Sequence, residues 1–209
     1  MTVQNTEAVR TITPLNESMI FAASSRGRVR LLTLVLIRWI AVIGQLGAIL
    51  LVHFGLGFKL PLTLVLAAVA ASAALNVVVT LRFSRSKRLS NGEASCYLAY
   101  DILQLAALLF FTGGLMNPFS LLFLVPVTIS ATVLSLASTM WLGAVAVACI
   151  SVLAGFHMPL PWSGPAPALP QLYVSGIWAA LVLGMIFISV YAWRVAEEAR
   201  RMADALAET

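Results

Sequence analysis

Residues 31–52 read LLTLVLIRWIAVIGQLGAILLV, an apolar run in which Arg38 is the single charged side chain. A helix rises 1.5 Å per residue and the hydrocarbon core of a bilayer is roughly 30 Å thick, so about 20 such residues cross it. Arg26, Arg28 and Arg30 precede the run as basic residues precede a secretory leader. The run is nevertheless too long for a leader's apolar region, and no small-residue cleavage site closes it. Five more runs of the same character follow, at 60–81, 96–113, 118–137, 139–156 and 172–193. Of the 209 residues, 61% are hydrophobic and 10% charged. An average soluble chain has roughly 25% charged residues, so too few are present here to cover a water-soluble domain. The expected fold is all-α: a polytopic integral membrane protein with six transmembrane helices, set in a lipid bilayer.

Orientation follows from the basic residues, which stay on the cytoplasmic side of the spans they flank. The amino-terminal segment holds Arg10, Arg26, Arg28 and Arg30; the second loop holds Arg82, Arg85, Lys87 and Arg88; the tail holds Arg194, Arg200 and Arg201. The first loop has only Lys59, and the loops around Leu115 and Pro165 have no basic residue. Both termini are therefore expected in the cytoplasm, which for a bacterial protein means insertion in the inner membrane. Trp162 and Tyr173 would then mark the outer interface, and Tyr97, Trp141, Tyr191 and Trp193 the inner one. The net charge of +5 reports this loop asymmetry, and no nucleic-acid partner is expected.

Three regions result: a cytoplasmic arm over 1–30, a six-helix membrane domain over 31–193, and the start of a cytoplasmic signalling helix over 194–209. The arm is polar and without sustained periodicity, so it is expected to be mostly disordered. Pro159 to Pro170 carries five of the nine prolines, which bar helix continuation and predict an irregular external loop. Cys96 and Cys149 have no spacing that suggests a metal site or a disulfide framework, and both are expected to be inert packing residues.

The most informative string is Gly113-Gly114-Leu115-Met116-Asn117-Pro118-Phe119, between the third and fourth runs. One reading is purely architectural. Glycine past a helix end supplies a left-handed cap, and Asn followed by Pro opens the next helix, which is all a tight helical hairpin requires. The other reading begins from the same geometry. A turn at the edge of the hydrocarbon offers backbone N–H groups, the Asn117 amide and the Phe119 ring to lipid-soluble molecules. A quinone head group suits them, its carbonyls accepting hydrogen bonds and its flat ring stacking on Phe119. Gly113 and Gly114 would let such a ring lie close to the backbone.

Here the chain resembles the sensor histidine kinases of the RegB, PrrB and ActS type, whose membrane domain carries a GGxxNPF signature in an external loop between its third and fourth helices. GGLMNPF matches it fully, and the likeness extends to six spans, cytoplasmic termini and a basic second loop. The resemblance implies sensing of the ubiquinone pool by Gly113, Gly114, Asn117, Pro118 and Phe119. It also implies a homodimer and, for a full-length kinase, a response regulator as phosphorylation partner. Up to Thr209 there is no H-box histidine, Asn-rich ATP-binding motif or glycine-rich lid, so these residues are expected to bind and signal without catalysing. The family's redox-active cysteine belongs to its kinase portion, and neither Cys96 nor Cys149 matches it.

Charges inside the spans form a second signal, since an ionisable group at membrane depth is costly without a partner or a cavity. Arg38 and Asp101 lie seven and five residues inside their spans, about 8–11 Å deep from the same side. Asn76 lies at a similar level. These residues predict a polar cluster of Arg38, Asn76 and Asp101 joining the first three helices, with Gln104 as a fourth member one turn on. In the alternative, Arg38 snorkels to the head groups and Asp101 is protonated or lines a wet crevice. His53 and His157 fall at outer helix ends, where a proton relay between them or an ordinary interfacial role are both open. Pro126 should kink the fourth span.

Past Arg194, the apolar residues Val195, Ala199, Met202 and Leu206 recur at spacings of four, three and four among charged residues. That stripe fits either a dimeric coiled coil continuing the sixth span or a solvated surface helix. The favoured function is the redox-sensing input of a two-component kinase, with ubiquinone as the sensed ligand and no metal. A small membrane carrier or permease is the alternative, although no internal repeat of the kind seen in such proteins is found. A membrane-embedded enzyme would need several convergent acids, histidines or a metal site, and one buried Asp with two separated histidines gives it little support.

Overall fold

The computed structural model describes residues 29–83, 88–162 and 169–207. The arm over 1–30 lies outside these residues except for Val29 and Arg30, as do Arg85, Lys87 and the middle of the proline-rich loop. Five helices are long and apolar enough to cross a membrane. In chain order these and their short companions are β1 (Val29–Arg30), α1 (Leu31–Leu50), α2 (Leu62–Arg82), β2 (Arg88–Leu89), α3 (Asn91–Phe111), α4 (Leu124–Val133), α5 (Leu136–Gly155) and α6 (Gln171–Ala207). The all-α expectation holds but for a two-residue antiparallel ladder between β1 and β2, with Val29 opposite Leu89.

The fourth segment differs from the full-length span expected over 118–137. It opens as a 3-10 helix, Pro118–Phe123, becomes α-helical only over Leu124–Val133, and ends there. At 2.0 Å per residue in the first part and 1.5 Å in the second it extends about 27 Å. Pro118 occupies its first position, where a missing N–H is harmless. Pro126 could neither donate to nor comfortably pack under a carbonyl four residues back, and the α-helix starts just two residues before it. The expected kink is thus a change of helix type at the head of the segment. The segment stops early because Ser135 caps the next helix, its hydroxyl accepting from the Ser138 amide.

Other boundaries move outward for local reasons. α3 begins at Asn91 instead of 96 because Ser90 and Glu93 form a capping box, each side chain accepting from the other's backbone N–H. α1 runs on through a π-helical turn, Leu51–Gly55. α6 continues unbroken for 37 residues, about 55 Å. Within the helices Thr80, Ser95, Thr112, Thr128 and Ser151 donate their hydroxyls to carbonyls four residues back. This satisfies polar groups that lipid would leave unpaired.

Contacts between elements sort their ends into two groups. The β1–β2 ladder sets the start of α1 beside the start of α3. At the other end the Phe58 and Trp162 rings meet at 5.2 Å, bringing together the loops that follow α1 and α5. The Trp178 indole donates to Ser151 Oγ at 2.9 Å, tying early α6 to late α5. Arg200 donates to the Thr132 carbonyl at 2.8 Å, tying late α6 to the end of α4. Successive segments therefore alternate in direction between a ladder end and a turn end, the latter carrying GGLMNPF. Phe123, Leu109, Leu142, Ile150 and Leu181 are fully buried between α3, α4, α5 and α6, and Val42, Val65 and Leu108 join α1, α2 and α3. Ile40, Leu81, Phe187 and Leu172 point outward and are exposed. An apolar exterior over an apolar core suits a solvent of lipid.

Candidate functional site

At the turn end, Gly113 and Gly114 take left-handed conformations, with φ of 107° and 59°. Space reinforces that choice. A Cβ on Gly113 would lie 2.5 Å from the Leu160 side chain, and one on Gly114 would lie 2.5 Å from the His157 ring and 2.8 Å from the Leu153 carbonyl oxygen. The close approach that the glycines permit is therefore filled by the chain's own loop after α5. That loop is also held by the Met158 amide, which donates to the Phe110 carbonyl at 2.8 Å.

Asn117 is engaged on both sides of its carboxamide. Its Oδ1 accepts from the Phe119 amide at 2.9 Å, capping the 3-10 turn, while Nδ2 donates to the Thr112 hydroxyl at 2.8 Å and carbonyl at 3.2 Å. Pro118 starts the turn and Phe119 turns its ring outward, exposed. Of the five motif residues, four build the hairpin, and Pro118 and Phe119 are exposed to the surroundings, Phe119 with an aromatic ring. Beside them opens a cleft of about 300 Å³, bordered by Lys59 and Pro61 on one side and by Phe111 and residues 158–162 on the other. His53 sits in the π-helical turn against the edge of Phe54, and His157 lies over Gly114 with its Nδ1 2.8 Å from the Met158 carbonyl. The two histidines thus have different neighbours.

Nearer the ladder end, Arg38 and Asp101 meet. Arg38 Nε lies 2.8 Å from Asp101 Oδ1, and Arg38 Nη2 donates to the Tyr97 carbonyl at 3.0 Å. The guanidinium also lies over the Tyr97 and Tyr100 rings, at 5.4 and 5.5 Å from their centroids. The other two predicted members do not join this pair directly. Asn76, fully buried on α2, donates to the Val35 carbonyl at 3.0 Å, one turn before Arg38. Gln104 pairs with Gln45 through reciprocal amide bonds of 2.9 and 3.2 Å. The result is a polar ladder along α1, from Val35 through Arg38 to Gln45, with Asn76 on one flank and Asp101 and Gln104 on the other. Snorkelling of Arg38 to the head groups is not what the structure shows. Gln45, Tyr97 and Tyr100 were not anticipated in the cluster, although Tyr97, Asp101 and Gln104 share one face of α3 by their spacing.

Both cysteines are free; Cys96 is exposed on α3, contrary to a packing role, and Cys149 is half-buried. Among the described residues no group of His, Cys, Asp and Glu could hold a metal ion.

The chain is 45% identical over 181 residues to the sensor histidine kinase RegB of Cereibacter sphaeroides, an overlap of 86% of this chain and 39% of that protein. The chain is a membrane domain of the RegB sensor-kinase type. A second RegB, from a strain of the same species, is 47% identical over 182 residues, covering 87% of this chain and 39% of its own length. The chain thus spans about two-fifths of the RegB proteins it matches. No protein-family model matches it, and no solved structure does.

Proposed function

We propose that this RegB-type domain is the redox input of a sensor histidine kinase, with ubiquinone bound at the turn end and the signal carried along α6 to a kinase module. In this reading the chain crosses a bacterial inner membrane six times with both termini in the cytoplasm. The segment after Pro118, at about 27 Å, comes close enough to the hydrocarbon thickness to serve as the short fourth crossing. The observation that carries the proposal is the unbroken α6, which begins at the turn end and runs past the Thr132 carbonyl at the opposite end. A rigid element of that kind delivers a displacement of one membrane face to the other.

The groups at the turn end fit a quinone head. Phe119 exposes an aromatic face, and the adjoining cleft is apolar with a single charged side chain, Lys59. Bound there, ubiquinone supplies a carbonyl-bearing ring whose hydrogen-bonding character changes on reduction. The chain's part is to distinguish the two forms, because only a difference in affinity between them can shift a conformational equilibrium. Val195, Met202 and Leu206 are exposed on the last turns of α6; their heptad-like spacing supports a parallel homodimer, and the kinase module's partner is a response regulator.

Titration of the protein in nanodiscs with a short-chain ubiquinone, followed by intrinsic tryptophan fluorescence, tests the binding. Saturable quenching is expected, and its absence would end the proposal. Cysteines placed at position 59 or 162 should react with an impermeant maleimide from outside intact spheroplasts, whereas one at position 90 should not.

A further inference from the structure

From Val174 to Leu206, every position of α6 reached by alternating steps of four and three is apolar. This one seam has two halves. Val174, Leu181, Met185 and Ala192 are buried, and the first three share a core with Val127 of α4 and Ile150 of α5. Val195, Met202 and Leu206 continue the same register but are 49%, 58% and 77% exposed. A straight helix falls behind a seven-residue repeat by about 20° per heptad, so over the two heptads past Ala192 the open half turns only about 40° from the covered face. The cover ends at the foot of α4, which stops at Val133 and accepts from Arg200 through the Thr132 carbonyl at 2.8 Å.

The occupant that fits the open half is a second copy of the chain. Two copies inserted in one membrane run in the same direction and at the same depth, so their α6 helices emerge parallel and in register, as a two-fold contact requires. Ala196 and Ala203 flank the seam on one side and let two helices approach closely. Glu197, Arg201 and Asp204 fall by their spacing on the side away from it, and Glu197 is engaged by Arg200 and Arg201 of its own helix at 3.9 and 3.4 Å. The open positions alone offer little surface against the roughly 1,000 Å² that a specific interface buries. The foot of α4 and the turn into α5 extend it, since Thr132, Ser135 and Leu136 are exposed. Resting on the homodimer reading above, we infer that the partner docks on the open seam and on this foot together, so that within the membrane each copy's α4 lies between the two α6 helices. Helices that meet past the feet do not meet again along the seam inside the membrane, because each seam is filled there by its own α4 and α5.

The test places single cysteines in a chain whose Cys96 and Cys149 are replaced by Ala, in native membranes, with copper-phenanthroline oxidation. Met202→Cys and Leu206→Cys should form disulfide-linked dimers several-fold more than Leu183→Cys and Phe187→Cys, which are exposed on the opposite side of α6. When two differently tagged copies are expressed together, one with Leu136→Cys and the other with Ala199→Cys, a short bismaleimide should join them. All the positions chosen on α6 and on the foot are exposed, so these substitutions leave folding intact. Dimers through Met202→Cys without a link between 136 and 199 would overturn the place given to α4 and leave the homodimer standing. Strong linking at Leu183→Cys and Phe187→Cys would also overturn it, since the helices would then meet through the opposite face. No dimer at any position, with a monomer's mass in native mass spectrometry, would overturn both.

Discussion

Replacing Asp101 with Ala removes the counter-charge of Arg38, the buried cation among the described residues of the helices. Arg38 is 5% exposed, and without Asp101 its guanidinium keeps the Tyr97 carbonyl and two tyrosine faces but no anion. Breaking a buried pair from one side costs about 3–5 kcal/mol. Asp101 is 30% exposed, so water screens part of the attraction, and the retained contacts compensate part of the cation. The expected loss is therefore about 2–3 kcal/mol. In a chain of this size that lowers the midpoint of thermal unfolding by about 4–12 °C. Asp101→Asn leaves an acceptor in place and should cost only about 1 kcal/mol. The double variant Arg38→Met with Asp101→Leu should recover most of the loss, because a buried ion pair can often be exchanged for apolar side chains of similar volume. Helical circular dichroism during thermal unfolding in nanodiscs is the assay. Asp101→Ala melting within about 1 °C of wild type would refute the reasoning. So would a double variant whose loss equals the sum of the two single losses, since that additivity means no coupling.

Gly114→Ala should destabilise by about 2–4 kcal/mol, combining a left-handed backbone with a Cβ pressed against the His157 ring and the Leu153 carbonyl, and its unfolding midpoint checks this. Asn117→Ala should lose about 1–2 kcal/mol through the turn cap and the tie to Thr112. Asn117→Asp should be nearly as damaging, because it keeps the cap but sets an acceptor against the Thr112 carbonyl; a fully stable Asp variant would show that the Thr112 bonds are idle. Arg200→Ala should change the midpoint by less than about 1 kcal/mol equivalent, its bond to Thr132 being exposed. Amide hydrogen exchange in the last turns of α6 should nevertheless quicken, and unchanged exchange would show that the tie to α4 does not hold them.

What could be read from the sequence, and what could not, divides along physical lines. Arg38 and Asp101 were placed together because depth counted from a common membrane face is a one-dimensional quantity that a sequence records. Their tyrosine neighbours follow from the spacing of Tyr97, Tyr100 and Asp101 on α3, and the earlier start of that helix follows from the Ser90-to-Glu93 box; both signals were present in the string. Gln45 was less accessible, since which residue of α1 faces Gln104 depends on the packing angle of two helices. Hydropathy sees residues 118–137 as a span and does not register that its head is wound as a 3-10 helix or that its helix ends at Val133. The contacts of Leu160 and His157 with the glycines join residues more than forty positions apart, and only the glycine pair itself hints that something must come close.

These contacts also decide which element links the two ends of the bundle most directly. Pro118 and Phe119 belong to the motif and are at the same time the first residues of the segment that becomes α4. The far end of that segment supplies the Thr132 carbonyl to Arg200 on α6. One short segment therefore belongs to the GGLMNPF turn at its head and touches α6 at its foot. Its head is 3-10 wound, with poorer hydrogen-bond geometry than the α-helix that follows. A change of winding there would alter the segment's length, at 2.0 against 1.5 Å per residue, by about 0.5 Å for each residue converted. Six residues are wound this way, so a partial conversion moves the foot of α4 by an ångström or more relative to the turn. That is the scale on which packed helices pass from one arrangement to another, and Arg200 stands where α6 would feel it.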